Sequence, residues 1–285
     1  MIAIADSGST KTDWVILNDD LTENFRTETI GFNPYHIDAN SIGREISKNS
    51  KLKEIAEQVK SVYFYGSGCS NESAIEIVKN GLKTIYTNAE FSINHDLLAA
   101  CYAVYRGKPA MVCILGTGSN ACYFDGENIK EATPSLAYIL GDEGSGCYMG
   151  KKLVHAYFSK KMPKELEIKF KEQYDLDIVT LNENVYKKPL ANAYLASFSK
   201  FVYENKEHTF MQHLIFNSMR DFFENQVLPN PEARFSEVNF IGSIAHFFED
   251  EIKAAAANLH LEVGQIVRKP IDSLVNYHIK YILNR

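Results

Sequence analysis

The chain has 285 residues, of which 45% are hydrophobic and 23% are charged, so it can bury one large core or two moderate ones. Its formal net charge of −6 disfavours nucleic-acid binding, because neutralising a phosphate backbone needs a concentrated Lys and Arg surface. The N-terminus lacks the basic region of a signal peptide, and no later apolar segment is long enough to cross a bilayer. We therefore expect a cytoplasmic protein with no nucleic-acid and no membrane partner.

A string of small polar residues near the start of the chain separates two predicted strands, at residues 2–5 and 14–17. This string, residues 6–13, is typical of a hairpin turn. The Gly107-Lys108-Pro109 sequence predicts a domain boundary. Between the hairpin and this boundary, apolar spacing predicts a helical stretch over 37–60 and a buried strand over 62–65 that ends at Gly66-Ser67-Gly68. A helix over 72–83 and a strand at 91–93 follow. The last predicted element is a helix through Tyr105 that Asn94 or His95 can cap.

The second half of the chain repeats the opening pattern of strand, polar loop and strand. A strand over 110–115 leads into the loop Gly116-Thr117-Gly118-Ser119-Asn120, and a strand pair follows around the Asp125-Gly126 turn. The remaining sequence predicts, in order, mainly helices from residue 147 to about residue 228, a strand over 238–241, a helix over 244–257, a short segment over 259–263 and an amphipathic helix over 271–283.

The two Gly, Ser and Thr loops, at residues 6–12 and 116–120, are candidates for phosphate binding. Such loops turn several backbone N–H groups and hydroxyls toward one anion, so the pair indicates a nucleotide held between them. Asp6 could hold Mg²⁺ through water, and Lys11 could offset phosphate charge. An ordinary hairpin turn is the alternative interpretation of the first loop.

Three common nucleotide sites are excluded. The segment 116–121 matches the G-x-G-x-x-A dinucleotide pattern, but a strand rather than a helix follows it, which argues against a Rossmann site. The chain also has no G-x-x-x-x-G-K-[ST] motif and no protein-kinase signature set. An ATP site in this chain must therefore be of another kind.

Four segments, in this order and spacing, resemble one known family. Residues 6–12 resemble its first phosphate motif, residues 116–120 its second, and residues 240–243 its adenosine motif. Residues 140–146 resemble the segment most distinctive of its amino-sugar kinase branch. The family is that of the N-acetylglucosamine kinases and BadF/BadG/BcrA/BcrD-type ATPases, in the actin/hexokinase-like superfamily, and the resemblance covers essentially the whole chain.

The resemblance implies a two-lobed actin/hexokinase-like (ribonuclease H-like) α/β fold with mixed sheets flanked by helices. One lobe would comprise residues 1–106 joined by a C-terminal helix at 270–285, and the other lobe residues 107–269. The implied activity is an ATP-dependent kinase that uses Mg²⁺. It would transfer the γ-phosphoryl group to a hydroxyl of an amino sugar, N-acetylglucosamine giving the 6-phosphate. A homodimer is implied by the same resemblance.

The resemblance also assigns site residues. Asp96 is the implied general base, and Asp6 the implied metal-binding residue. The implied ATP-binding residues are Asp6, Gly8, Ser9, Thr10, Lys11, Thr12, Gly116, Thr117, Gly242 and Ser243. The implied sugar-binding residues are Asn33, Asp96, Gly118, Ser119, Asn120 and Asp142. Simpler interpretations remain for three acidic or amide residues: Asp96 as a favourable charge in a helix's first turn, Asn33 as part of an Asn-Pro turn, and Glu143 as a solvated side chain.

Two other functions compete with the kinase. An activator ATPase of radical dehydratases and reductases would need iron–sulfur ligands, and Cys101 and Cys147 are candidates only by region. A non-catalytic sugar or nucleotide sensor of the same fold is the second, although the presence of Asp6, Asp96 and Asp142 together counts against it.

The cysteines form no C-x-x-C pair, so we expect reduced, buried thiols at Cys69, Cys101, Cys113, Cys122 and Cys147.

Overall fold

The first and last stretches of the chain belong to one structural unit. In the computed structural model, which describes residues 1–8 and 10–284, this unit comprises Met1–Tyr105 and Pro270–Arg285. The second unit comprises Arg106–Lys269, so it is a continuous insertion in the first. Each unit contains its own five-stranded sheet and its own hydrophobic core.

The sheet of the first unit combines a hairpin with parallel strands. Its strands are β1 (Ile2–Ser7), β2 (Lys11–Leu17), β3 (Glu23–Ile30), β4 (Ser61–Gly66) and β5 (Glu90–His95). They lie in the order β3-β2-β1-β4-β5, with β1 to β3 antiparallel and with β4 and β5 parallel to β1. The carboxyl ends of β1, β4 and β5 therefore meet at one edge of the sheet.

Helices cover this sheet, which explains why its central strands are apolar on both faces. The helices of residues 1–105 are α1 (Ala39–Lys48), α2 (Ser50–Glu54), α3 (Glu72–Lys83) and α4 (Asp96–Val104). Trp14, Phe32 and Phe64 pack with α1 and α3 in one core cluster. Side chains alternate across a strand, so Ile4 and Val15 pack in a second cluster together with α4.

The second unit repeats the arrangement of hairpin and parallel strands. Its strands are β6 (Ala110–Leu115), β7 (Ser119–Phe124), β8 (Ile129–Lys130), β9 (Val238–Ile241) and β10 (Val263–Val267). The order is β10-β9-β6-β7-β8, with β6 antiparallel to β7, and with β9 parallel to both β6 and β10. The loop between β6 and β7 and the carboxyl end of β9 therefore lie at the same edge.

Most of the second unit is helical and packs around a core rich in phenylalanine. Its helices are α5 (Ala137–Leu140), α6 (Gly146–Phe158), α7 (Lys164–Tyr174), α8 (Ile178–Asn182), α9 (Ala191–Ser197), α10 (Ser199–Glu204), α11 (Thr209–Phe222), α12 (Ser243–Phe247) and α13 (Glu249–Asn258). Two π-turns, Glu183–Lys187 and Phe223–Val227, extend α8 and α11. Within the described part of the chain, no helix combines the length and the hydropathy that a membrane span requires.

The chain then returns to the first unit through α14 (Ile271–Tyr277), which continues as a π-turn over His278–Leu283. Leu274 and Val275 pack in the second cluster of the first unit. His278 is fully buried, and its Nε2 lies 2.8 Å from the hydroxyl of Tyr65 on β4. Arg26 on β3 also pairs with Asp272 at the start of α14. These contacts fasten α14 to the sheet.

The structure corrects several predicted elements. Strands β3 and β10 were not predicted, and the predicted helix over 244–257 is two helices that break at Phe248. Helix α4 begins at Asp96, after His95, whose side chain makes no capping hydrogen bond. In both hairpins the loop is shorter than predicted, since β2 already begins at Lys11 and β7 at Ser119.

Candidate active site

Three loops of the first unit meet at the carboxyl edge of its sheet. Ser7, Gly66 and His95 end β1, β4 and β5, and they are neighbours in register. The residues that follow them are the loop of the first hairpin, the Ser67-Gly68 turn and Asp96. A sheet edge of this kind, where parallel strands end, is where α/β folds bind ligands. The topology thus brings Asp6 and Asp96 to the same edge.

Two buried hydroxyls brace the first hairpin loop. The Thr12 hydroxyl donates to the Ile30 carbonyl at 2.9 Å and lies 2.8 Å from the Ser7 hydroxyl, which accepts from the Phe32 N–H at 2.9 Å. Because the Thr12 hydroxyl donates its one proton to Ile30, Ser7 is the donor in the hydrogen bond between the two hydroxyls. Both side chains are fully buried. Thr12 therefore supports the loop through protein contacts.

The described part of this loop includes two exposed residues. Gly8 and Thr10 are exposed, and the Gly8 N–H donates to the Lys11 carbonyl at 2.9 Å, which closes the turn. Ser9, another predicted ATP-binding residue, lies outside the described residues. The Lys11 ammonium lies 2.9 Å from Asp13 and also pairs with Glu28, so two carboxylates offset its charge.

Asn33 is held against the turn after β4. It is only 8% exposed, and its Oδ1 accepts a hydrogen bond from the Tyr35 N–H at 3.0 Å. A Cβ on Gly68 would lie 2.5 Å from that oxygen, and Gly68 has φ +85°, so only glycine fits there. Within residues 1–8 and 10–284, no group accepts a hydrogen bond from the Asn33 amide nitrogen. That nitrogen is a donor available to a ligand.

Asp96 stands in the first turn of α4, close to the same turn. Burial raises the pKa of the Cys69 thiol to about 12, and the nearby Asp96 carboxylate adds to that rise. Asp96 directly follows His95, which pairs in register with Gly66 at the start of the turn that ends at Cys69. The position suits a helix-start charge and a catalytic base equally.

The hairpin loop of the second unit is tied to the start of α6. The Gly146 N–H donates to the Gly116 carbonyl at 2.9 Å, and the Cys147 N–H donates to the Thr117 carbonyl at 3.1 Å. The Gly116 N–H donates to the Gly118 carbonyl at 2.9 Å, which makes the turn tight. The loop is therefore rigid before any ligand arrives.

A buried carboxylate lies against this loop. Asp142 is 7% exposed and has φ +57°, an unfavourable backbone conformation for a residue other than glycine. Its Oδ1 accepts from the Ser119 N–H at 3.3 Å, and a Cβ on Gly118 would lie 2.7 Å from its Oδ2. Burial raises the pKa of Asp142, while the Ser119 N–H and the charge of Lys151 oppose that rise. These features make Asp142 a candidate functional residue.

Gly242 follows β9 at the same edge of the second sheet. Its φ is +122°, and a Cβ there would lie 2.2 Å from the Leu115 carbonyl oxygen. The absence of a side chain lets the end of β9 approach the end of β6 directly. Ser243, the next residue, is exposed at the start of α12.

One known family matches most of the chain. The sequence profile of the BadF/BadG/BcrA/BcrD ATPase family matches residues 5–209. The chain belongs to this family. Membership implies that the protein uses ATP, and the match includes both hairpin loops. A comparison with curated proteins found no matching sequence.

Solved structures of several proteins share the fold. A "putative N-acetylglucosamine kinase" from Porphyromonas gingivalis is 33% identical, with a TM-score of 0.91 and 99% of each chain covered. A protein of the same description from Chromobacterium violaceum is 14% identical, with a TM-score of 0.72, covering 97% of this chain and 98% of its own. A ROK family glucokinase from Streptomyces griseus, in complex with glucose and AMPPNP, is 11% identical, with a TM-score of 0.55 and coverage of 96% and 97%. The predicted actin/hexokinase-like fold class is confirmed.

ATP is usually bound together with Mg²⁺, so the acidic residues of the chain bear on where such an ion could lie. Among the described residues, no group of three or more His, Cys, Asp or Glu side chains could form a metal cage. Mg²⁺ keeps several waters and usually takes only one or two protein carboxylates plus phosphate oxygens. Asp6, at the end of β1 and partly exposed, suits that mode of binding.

A network of side-chain amides behind the second loop was not predicted from the sequence. Gln226 Nε2 donates to the Ser119 hydroxyl at 3.0 Å and to Glu143 Oε2 at 2.8 Å. Asn225 Nδ2 donates to Glu143 Oε1 at 3.2 Å. Glu143, expected to be solvated, is therefore held by two side-chain amides. Both amides come from the Phe223–Val227 π-turn, a feature that is frequent at functional sites and leaves no pattern in a single sequence.

Proposed function

We propose that this ATPase-family protein is an ATP-dependent sugar kinase whose acceptor is an amino sugar, N-acetylglucosamine, phosphorylated at its 6-hydroxyl. The observation that carries the proposal is Asp142, a buried carboxylate in contact with the Gly118-Ser119 end of a phosphate-type loop. A carboxylate repels phosphate unless a cation lies between them, and among the described residues Asp142 belongs to no cluster of three or more acidic, His or Cys side chains that could hold one. Sugar hydroxyls, which are hydrogen-bond donors, explain its presence. The 33% identical P. gingivalis protein supports the amino-sugar assignment.

In the first unit, we assign the proton transfer to Asp96. Phosphoryl transfer to an alcohol needs a carboxylate that accepts the hydroxyl proton as the new O–P bond forms. Asp96 would hold the acceptor hydroxyl, and the Asn33 amide nitrogen would donate to another sugar oxygen. The exposed residues Gly8 and Thr10 would bind phosphate through their backbone together with Ser9, and Lys11 and Thr12 would support the loop.

In the second unit, we assign Asn120 and Asp142 to the sugar and the rigid loop to the phosphates. Thr117 would bind phosphate through its backbone N–H and its hydroxyl, and Gly116, whose own N–H closes the turn, would let the phosphate approach the backbone. Gly118 and Ser119 would contact the sugar. Gly242 and Ser243 would lie beside adenine, where small side chains leave room. Mg²⁺, held through Asp6, would neutralise the charge that develops on the phosphoryl oxygens.

The iron–sulfur activator is a weaker candidate. Cys101 and Cys147 are fully buried within α4 and α6, and burial raises the pKa of the Cys147 thiol to about 12. Iron–sulfur cluster ligands are thiolates, so the burial of Cys101 and Cys147 disfavours cluster binding at both residues.

Cytoplasmic location and homodimerisation stay predictions.

A coupled assay of ADP release over a panel of sugars tests the proposal. We expect release that depends on N-acetylglucosamine, lower rates with glucose or glucosamine, and slow hydrolysis without sugar. Asp96→Asn is the control, because it keeps the size of the side chain and removes the base. Release that is independent of sugar, or an unchanged rate in Asp96→Asn, would contradict the kinase.

A further inference from the structure

The amide of Gln226 is oriented by a partner that can only accept hydrogen bonds. Glu143 is a carboxylate and lies 2.8 Å from Gln226 Nε2, so the nitrogen and not the oxygen must face it. Asn225 holds the other carboxylate oxygen, at 3.2 Å. The orientation of the Gln226 amide is thus fixed by hydrogen-bond chemistry.

This orientation determines what the Ser119 hydroxyl can do. Gln226 Nε2 donates to the Ser119 oxygen at 3.0 Å, so the hydroxyl proton of Ser119 must point elsewhere. Ser119 is 6% exposed and stands next to Gly118, against which Asp142 packs. A hydroxyl has one proton and two lone pairs, so with Gln226 on one lone pair the Ser119 proton is directed away from Gln226 and can be donated to a ligand. The ligand group that receives this proton is an acceptor oxygen.

A second observation at the same side chain points to a ligand or water. Gln226 Oε1 is buried and has no hydrogen-bond partner among the residues that the structure describes. A buried carbonyl oxygen without a donor costs stability, and such groups are rare in native proteins. The Gln226 amide nitrogen therefore has both of its hydrogen-bond partners, whereas the amide oxygen has none among the described residues, and the amide lies beside Ser119, which is assigned to the sugar.

We infer that Gln226 is a positioning residue that makes Ser119 a hydrogen-bond donor to an acceptor oxygen of the sugar. The inference rests on the proposed function, since it takes the sugar as the ligand of Ser119. Gln226 acts through Ser119. Its loss should weaken sugar binding and leave ATP binding almost unchanged.

The test compares Gln226→Ala with Asn225→Ala, two amide deletions in the same π-turn. Both amides bind Glu143, but only Gln226 reaches Ser119. We expect Gln226→Ala to raise KM for the sugar about fivefold to tenfold, which corresponds to one neutral hydrogen bond, with KM for ATP unchanged. Asn225→Ala should change KM for the sugar less than about twofold.

Ser119→Ala decides whether Gln226 acts through the hydroxyl. In that background, Gln226→Ala should have no further effect on KM for the sugar. Additive effects, or an equal loss in Asn225→Ala, would overturn the inference. Calorimetric titration of each variant with N-acetylglucosamine measures sugar binding directly, so it tests the role of Gln226 separately from the kinase activity. If wild-type protein binds the sugar without phosphorylating it, the kinase proposal is wrong, and the ratio of variant to wild-type affinity still tests the role of Gln226. If wild-type protein neither binds nor phosphorylates any sugar, the kinase proposal and the inference about Gln226 are both wrong.

Discussion

Replacing Gly118 by alanine would strike the contact between the second loop and Asp142. The new Cβ would lie 2.7 Å from Asp142 Oδ2, whereas ordinary contacts begin at 3.4 Å, so the carboxylate must move by about 0.7 Å. Its hydrogen bond from the Ser119 N–H is already long at 3.3 Å and would break. A hydrogen bond to a charged group contributes about 1.5–3 kcal/mol, so kcat/KM for the sugar should fall roughly tenfold to a hundredfold.

Stability should change little, because the obstacle is the end of a side chain. We expect Gly118→Ala to lower Tm by no more than a few degrees and to leave KM for ATP within about twofold. Steady-state kinetics in both substrates and thermal unfolding measure these quantities. Asp142→Asn supplies the decisive comparison. If Gly118→Ala acts by displacing Asp142, it should cost little further activity in the Asp142→Asn background; a full additional loss would refute this reasoning.

Three further outcomes follow from single sites. Asp96→Asn should lower kcat by about 10²–10⁴-fold, measured by ADP release, with an unchanged Tm; a smaller loss would remove Asp96 as base. Gly242→Ala should lower the free energy of unfolding in urea by more than about 2 kcal/mol, since its φ is +122° and its Cβ would lie 2.2 Å from the Leu115 oxygen. Burial lowers the pKa of His278 to about 4, so the folded state binds fewer protons than the unfolded state between pH 4 and 6.5. Stability should fall by about 2 kcal/mol from pH 7 to pH 5, and His278→Phe should remove most of that fall.

The elements that could be predicted are those whose pattern comes from burial. The strand over 110–115 and the helix over 72–83 carry uninterrupted apolar or helical spacing, and the structure gives the same bounds. Strand β3 could not be found in this way, because it lies at the edge of its sheet and its sequence, ENFRTETI, is largely polar. Strand β10 contains Gly264, which weakens any strand pattern.

The candidate site was predictable where a motif marks it and unpredictable where contacts decide it. Asp142 was found through the segment at 140–146, whereas its burial and its positive φ are tertiary facts. Thr12 has a hydroxyl in the loop that was predicted to bind phosphate, yet that hydroxyl donates its proton to the Ile30 carbonyl. Gln226 and Asn225 lie more than eighty residues beyond Glu143, and nothing in the local sequence relates these amides to the carboxylate.

During synthesis, the first unit stays incomplete until the whole second unit has been made. Helix α14 covers Ile4, Val15 and Tyr65, and it emerges only after residues 106–269. The second unit is continuous and can fold while the earlier sheet still exposes that apolar face. A nascent chain arrested before residue 270 should therefore expose more apolar surface to chaperones than the finished chain, and α14 acts as the closing segment of folding.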